Sequence, residues 1–172
     1  MEKGYVQVYT GNGKGKTTAM LGLALRAAGA GLQVYIGQFI KNMEYSETKA
    51  IREFLPNIKI EQYGPGFIYK REITKEDREI TAKGMEKALK ALHSGEYDII
   101  MLDEIHMAVS FGLLSVESVL EMIRQKPPQV ELILTGRNAA AEIIAAADLV
   151  SEIAEIKHYY TQGVPAREGI EK

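Results

Sequence analysis

Between Thr10 and Thr18 the chain reads Thr-Gly-Asn-Gly-Lys-Gly-Lys-Thr-Thr, and this mixture of glycine, lysine and hydroxyl residues suits one chemistry, the holding of a polyphosphate. Glycines let the backbone turn tightly, so that successive N–H groups point inward at phosphate oxygens. A helix beginning near Lys16 would add unpaired N–H groups and roughly half a positive charge. In such a P-loop, Gly11, Asn12, Gly13, Lys14, Gly15, Lys16, Thr17 and Thr18 form the cradle. Lys16 reaches the phosphates, and the Thr17 hydroxyl ligates Mg²⁺. A flexible glycine turn with two solvated lysines is the bland alternative. The coincidence of strand, Gly15-Lys16-Thr17 and helix favours nucleotide. One departure stands out: the usual pattern has glycine at position 10, where this chain has Thr10, and its glycines fall at 11, 13 and 15.

Two further segments carry candidate chemistry. Ile99-Ile100-Met101-Leu102-Asp103-Glu104 is an apolar run ending in two carboxylates, and Asp103 or Glu104 there can hold Mg²⁺ directly or through water. Two acids ending a strand in solvent is the alternative. Glu104 also leaves ATP hydrolysis formally open. In Leu134-Thr135-Gly136-Arg137, the planar fork of Arg137 suits phosphate oxygens, with a surface arginine after a turn as the bland alternative. His106 and His158 have no metal-ligand spacing. Phe67, Tyr69, Tyr159 and Tyr160 are packing or ligand-facing aromatics, which sequence does not separate.

These residues need a scaffold, and the pattern around them supplies one. Strands are expected at Tyr5–Tyr9, Gln33–Phe39, Ile58–Tyr63, Asp98–Leu102, Val130–Leu134 and Leu149–Ile153. Helices are expected at Lys16–Ala28, Ser46–Leu55, Thr74–His93, Ser115–Gln125 and Ala139–Ala147. Thr74-Lys75-Glu76-Asp77 suits a helix cap, and Pro127-Pro128 a stop. Alternating strands and helices predict an α/β three-layer sandwich with a mostly parallel sheet of about six strands. Neither repeat nor linker interrupts the chain, so residues 1–172 read as one P-loop domain.

Composition narrows the class. At 172 residues and 46% hydrophobic content the chain can bury one core. Its 21 Lys and Arg against 23 Asp and Glu give a formal charge of −2, with no global reason to bind nucleic acid or an anionic membrane. The absence of cysteine excludes disulfides, thiolate metal sites and cysteine nucleophiles. Apolar stretches are interrupted by Arg26, Glu142 and Asp148, and no basic stretch with an apolar run opens the chain, so a cytoplasmic protein is expected.

A specific resemblance runs in order from about residue 5 to the C-terminus. Val8 to Thr18, Leu25-Arg26-Ala27-Ala28-Gly29, Gln38-Phe39-Ile40-Lys41, Gly66-Phe67, Leu102-Asp103-Glu104, Leu134-Thr135-Gly136-Arg137, Ala147 to Glu152 and Ile156-Lys157-His158 resemble the ATP:corrinoid adenosyltransferases of the CobA/CobO/BtuR type. The resemblance implies a homodimer that transfers the 5′-deoxyadenosyl group of MgATP to Co(I) of a reduced corrinoid and releases triphosphate. It implies an ATP reversed relative to ordinary P-loop NTPases, with Lys16 and Arg137 catalytic and Arg26 among the nucleotide contacts. It further implies an electron donor such as a reduced flavoprotein. Phe67 takes the place of the ring that displaces the lower cobalt ligand, and Tyr69 stands where relatives carry tryptophan. Some relatives have an arm before the first strand that covers the site, so here another segment covers it or the site is more open. A P-loop ATPase or small-molecule kinase is the competing enzyme. A nucleotide- or corrinoid-binding protein without turnover is the non-catalytic alternative.

Overall fold

A computed structural model describes residues 2–64, 66 and 71–172. Its strands are β1 (Val6–Thr10), β2 (Val34–Gln38), β3 (Ile58–Gln62), β4 (Ile99–Asp103), β5 (Glu131–Thr135) and β6 (Leu149–Glu152). The helices are α1 (Lys16–Gly29), α2 (Ser46–Phe54), α3 (Lys75–His93), α4 (Ile105–Ser110), α5 (Val116–Gln125) and α6 (Ala141–Ala146). A 3₁₀ turn follows at Tyr159–Gln162. All six strands are parallel, in the order β3-β2-β4-β5-β1-β6. The expectation of a mostly parallel α/β sheet is met, and the sheet is more uniform than expected.

The layers follow from the alternation of side chains along each strand. On one face Ile99, Met101 and Ile133 pack with Met20, Ala24 and Ala27 of α1 and Ile51 of α2. On the other, Ile100, Leu102, Leu132 and Leu134 pack with Met85, Ala88 and Leu92 of α3, Ile105 of α4, Met122 of α5 and Ile143 of α6. Covered on both sides, β2 and β4 are buried along their full length, which is why neither alternates with exposed polar residues and each carries its polar side chain only at the carboxyl end. Among the described residues, no helix is long and apolar enough to cross a membrane.

Helix starts divide by function. The α3 start is a capping box: the Thr74 hydroxyl accepts from the Asp77 amide at 3.2 Å and the Asp77 carboxylate accepts from the Thr74 amide at 2.8 Å. Glu76 and Asp77 also sit in its first turn, where they offset the helix dipole. At α1 the cap is Gly15, at φ 124°, with no side-chain cap and no acid in the first turn. The positive end of α1 is thus left for an outside anion.

Parallel register then gathers the polar strand ends. Gln38 pairs with Asp103 across β2 and β4, Leu102 with Leu134 across β4 and β5, and Tyr9 with Thr135 across β1 and β5. Gln38, Asp103, Thr135 and Thr10 therefore meet at one carboxyl edge, where open α/β sheets bind ligands.

Candidate functional site

Gly13 is buried, and its amide donates to the Ile153 carbonyl at 2.7 Å, while the Ile153 amide donates to the Thr10 carbonyl at 2.9 Å. The segment after β6 thus braces the loop from behind. A methyl group at position 13 would lie 2.6 Å from the Ala154 oxygen, so glycine is required there by close approach. Thr10, the departure from the usual glycine, has an assigned partner: its hydroxyl accepts from the Ala139 amide at 3.3 Å, joining the loop to the turn after β5.

Lys16 is buried, and its Nζ donates to the carbonyls of Gly11 at 2.8 Å and Gly13 at 2.7 Å. An ammonium has three donors, so these bonds do not exhaust it. Burial, supplemented by the nearby Arg137, pulls its pKa below the ordinary range, with Glu104 and Asp103 opposing. Each phosphate oxygen brought near would restore that charge.

Asp103 is fully buried and saturated. Its Oδ1 accepts from Thr135 Oγ1 at 2.7 Å and Thr17 Oγ1 at 3.0 Å. Its Oδ2 accepts from Lys41 Nζ at 2.8 Å and Gln38 Nε2 at 3.2 Å. Gln38 is itself aimed by Gln62, whose Nε2 donates to Gln38 Oε1 at 3.1 Å. Burial works to raise the Asp103 pKa, but the Lys41 ammonium and the two hydroxyls outweigh it and hold the carboxylate below its ordinary range.

Glu104 follows in the left-handed region, at φ 58°, and its amide donates to Thr135 Oγ1 at 3.1 Å. This bend turns its side chain out of the sheet line and into the cavity wall. Burial and then the adjacent Asp103 raise its pKa, so it is the carboxylate that gains most from a cation.

These groups bound a cavity of about 440 Å³, lined by Gly13 to Thr18, Leu21, Lys41, Ser46, Glu47, Glu104, Arg137, His158 and the tail residues Gly169 to Lys172. Lys14 Nζ donates to the Ile170 carbonyl at 3.0 Å and Ser46 Oγ to the Lys172 oxygen at 3.1 Å, so the tail forms one wall. A second cavity of about 340 Å³ adjoins it, lined by Ile40, Lys41, Asn42, Met43, Tyr45, Gly66, Glu104, Met107, Phe111 and Arg137. Lys41, Glu104 and Arg137 belong to both walls. A polar, cationic chamber and a largely apolar one thus meet at three charged side chains.

The fit to Mg²⁺ follows from the donors. Among the described residues no three His, Asp or Glu side chains converge as a metal cage. Mg²⁺ beside a polyphosphate needs none, since phosphate oxygens and waters fill most of its octahedron and one or two protein oxygens suffice. Thr17 gives its hydroxyl proton to Asp103 and keeps lone pairs for a metal, with Glu104 in the same wall.

Of the residues expected from sequence, Gly13, Lys14, Gly15, Lys16, Thr17, Thr18, Glu104 and Arg137 line the first cavity together. Asp103 lies beneath it, and Gly11 supports it through Lys16; Asn12 is exposed and outside the lining. Arg26 is not brought there. It is exposed in the last turn of α1, roughly 15 Å along the axis from Lys16 at about 1.5 Å per residue, beside Tyr9 of β1. Phe67 and Tyr69 lie outside the described residues. Lys41, Gln38 and Thr135 were not expected as site residues, and the polar ends of otherwise apolar strands were the signal for them.

Residues 2–171 match the family model described as ATP:corrinoid adenosyltransferase BtuR/CobO/CobP. The corrinoid adenosyltransferase of Escherichia coli strain K12 is 34% identical over 171 residues, covering 99% of this chain and 86% of that protein. The corrinoid adenosyltransferase of Pseudomonas aeruginosa is 32% identical over 171 residues, covering 99% and 84%. In fold, the chain is similar to the crystal structure of a KaiC-like protein from Pyrococcus horikoshii. The TM-score is 0.58 at 15% identity, with 88% of this chain and 73% of that one covered.

Proposed function

Because the chain belongs to the ATP:corrinoid adenosyltransferase family, we infer that its cationic cavity holds the triphosphate of MgATP and the adjoining apolar cavity receives the reduced corrinoid. The enzyme transfers the 5′-deoxyadenosyl group of ATP to a corrinoid. The observation that carries the assignment of chambers is the shared wall of Lys41, Glu104 and Arg137, where a bond between the two substrates would be exchanged.

The chemistry suits the side chains. Co(I) is itself a strong nucleophile, so no serine, cysteine or general base is required. The whole triphosphate leaves, and negative charge grows on it as the bond to C5′ breaks. Lys16, the uncapped α1 start and Arg137 are positioned to stabilise that charge. Mg²⁺, when bound to the phosphates, supplies further charge neutralisation, with Thr17 and Glu104 as its protein oxygens and Asp103 orienting Thr17.

Phe67 and Tyr69 take the ligand-displacing role suggested by the family. Losing Phe67 should impair transfer from Co(II) plus reductant more than transfer from preformed Co(I), and equal losses would remove the assignment. An electron donor such as a reduced flavoprotein, a cytoplasmic setting and a homodimer belong to the same reading. The exposed Leu149 and Val150 of edge strand β6 support the last.

The test is the phosphate product. With MgATP and chemically reduced cobalamin, adenosylcobalamin should form well above the protein-free rate with one intact triphosphate per turnover. Corrinoid-dependent release of ADP, or of a phosphorylated acceptor, would replace this reading with phosphoryl transfer.

A further inference from the structure

Lys41 leaves β2 by a strained route. Ile40 sits at φ 65°, a left-handed conformation that is unfavourable for a β-branched residue and persists only where its surroundings dictate it. Gly64 supplies that constraint. Its amide donates to the Lys41 carbonyl at 3.0 Å, and a methyl group there would stand 2.1 Å from the Ile40 carbonyl carbon and 2.2 Å from the Lys41 nitrogen. A glycine therefore clamps the Ile40–Lys41 peptide in the strained turn.

The side chain is fixed as firmly as the backbone. Lys41 Nζ lies 2.8 Å from Asp103 Oδ2, 3.9 Å from Glu47 Oε1 and 5.1 Å from the centre of the Tyr45 ring. Only 17% of the side chain is exposed. Burial opposes its charge, yet Asp103 outweighs burial and keeps the pKa above the ordinary lysine range. A permanent ammonium is thus held at the boundary between the two cavities.

We propose that Lys41 is a further catalytic residue of the adenosyl transfer, its ammonium stabilising the triphosphate oxygen that parts from C5′. The proposal rests on the assignment of the two chambers given above. In the step, the cobalt electron pair forms the Co–C5′ bond and the C5′–O bond breaks. Its electrons stay on the triphosphate, and no proton is transferred. Charge on the departing oxygen rises, and an ammonium shielded from water stabilises it more than one in bulk solvent. Lys16 serves the loop end of the triphosphate, whereas Lys41 serves the end that faces the acceptor.

A purely structural role, neutralising buried Asp103, makes the competing prediction. Four variants separate the two: Lys41→Met, Lys41→Arg, Asp103→Asn and the double variant Lys41→Met with Asp103→Asn. Single-turnover transfer is measured with chemically preformed cob(I)alamin and saturating MgATP, and ATP affinity by calorimetry. Lys41→Met should lower the transfer rate about 100-fold or more while ATP affinity changes less than about threefold, and Lys41→Arg should recover about tenfold. Should Lys41→Met fail to fold with Asp103 unpaired, the double variant removes that charge. It should remain at least about 30-fold slower than Asp103→Asn alone. A double variant equal to Asp103→Asn, or a rate loss matched by lost ATP affinity, would overturn the proposal. Wild-type protein that transfers no adenosyl group would overturn the chamber assignment and this inference together, a pattern distinct from either variant result.

Discussion

Thr17 Oγ1 donates to Asp103 Oδ1 across 3.0 Å, tying the first turn of α1 to the end of β4. The two residues are far apart in sequence, so this bond sets the phosphate loop against the acidic strand end. It also fixes the hydroxyl orientation: the proton points at Asp103, and the lone pairs remain for a cation. Thr17→Val keeps the shape and removes both functions. The expected result is an apparent Mg²⁺ affinity about tenfold weaker in a metal titration of transfer rate, together with roughly 1–2 kcal/mol less stability from the lost, partly buried hydrogen bond. Thr17→Ser should restore most of both. An unchanged metal titration for Thr17→Val would remove Thr17 from the metal site.

Lys16 is the second test. Its bonds to the Gly11 and Gly13 carbonyls shape the loop, and its charge faces the cavity. Lys16→Ala should abolish rate enhancement in the transfer assay and weaken ATP binding at least tenfold. Lys16→Arg, with a bulkier planar head, should rescue little because the carbonyl cradle is built for a compact ammonium. Near-normal transfer by Lys16→Ala would place the triphosphate elsewhere.

The residues that the sequence made legible are those whose chemistry is contiguous. Gly11 to Thr18 lie in one run between a strand and a helix, so local pattern and function coincide. The layers were legible too, since buried parallel strands such as Ile99–Asp103 are apolar runs bounded by acids. Sheet order was not, because it depends on which strands α1 crosses rather than on any strand's own residues. Lys41 and Gln38 escaped notice as site residues for a similar reason: the β2–β4 register brings Gln38 to Asp103, and the left-handed turn at Ile40, beyond the strand, brings Lys41 there. The six-residue α4 was missed because it starts from a left-handed Glu104, a bend that no propensity announces. Arg26 was expected at the nucleotide from resemblance alone, and helix geometry places it at the far end of α1.

Glu104 gives a prediction in pH. Burial, with Asp103 adding to it, raises its folded-state pKa above the ordinary value of 4.5. An acid of that kind contributes stability that is fully present below the unfolded value and is lost as pH rises through the folded one. Above that point its charge is a cost to the fold. Without nucleotide or Mg²⁺, Glu104→Gln should therefore raise the melting temperature by a few degrees at pH 8, and the gain should vanish below about pH 4. The same variant should lose about 100-fold in Mg²⁺-dependent transfer. A lower melting temperature at pH 8 would show that the carboxylate is satisfied within the protein.

His106 provides the opposite sign. Its ring is fully buried in α4 beneath Gly136, and neither nitrogen makes a well-formed hydrogen bond among the described residues. Burial pushes its pKa down to about 4 from an ordinary 6.5, outweighing an opposing pull from the Leu134 backbone. A base depressed in the fold contributes stability that is present above the unfolded value and lost as pH falls through the folded one. The window is thus pH 6.5 down to about 4. At about 1.4 kcal/mol per pH unit, this side chain alone should cost the protein roughly 3 kcal/mol across that window. His106→Leu replaces two unsatisfied nitrogens with an apolar side chain of similar bulk. Chemical denaturation at pH 7 and pH 4.5 should show a smaller stability loss on acidification for His106→Leu than for the wild type. Parallel losses in the two proteins would mean that acid unfolding begins at other groups, and that His106 is protonated only after the fold has opened.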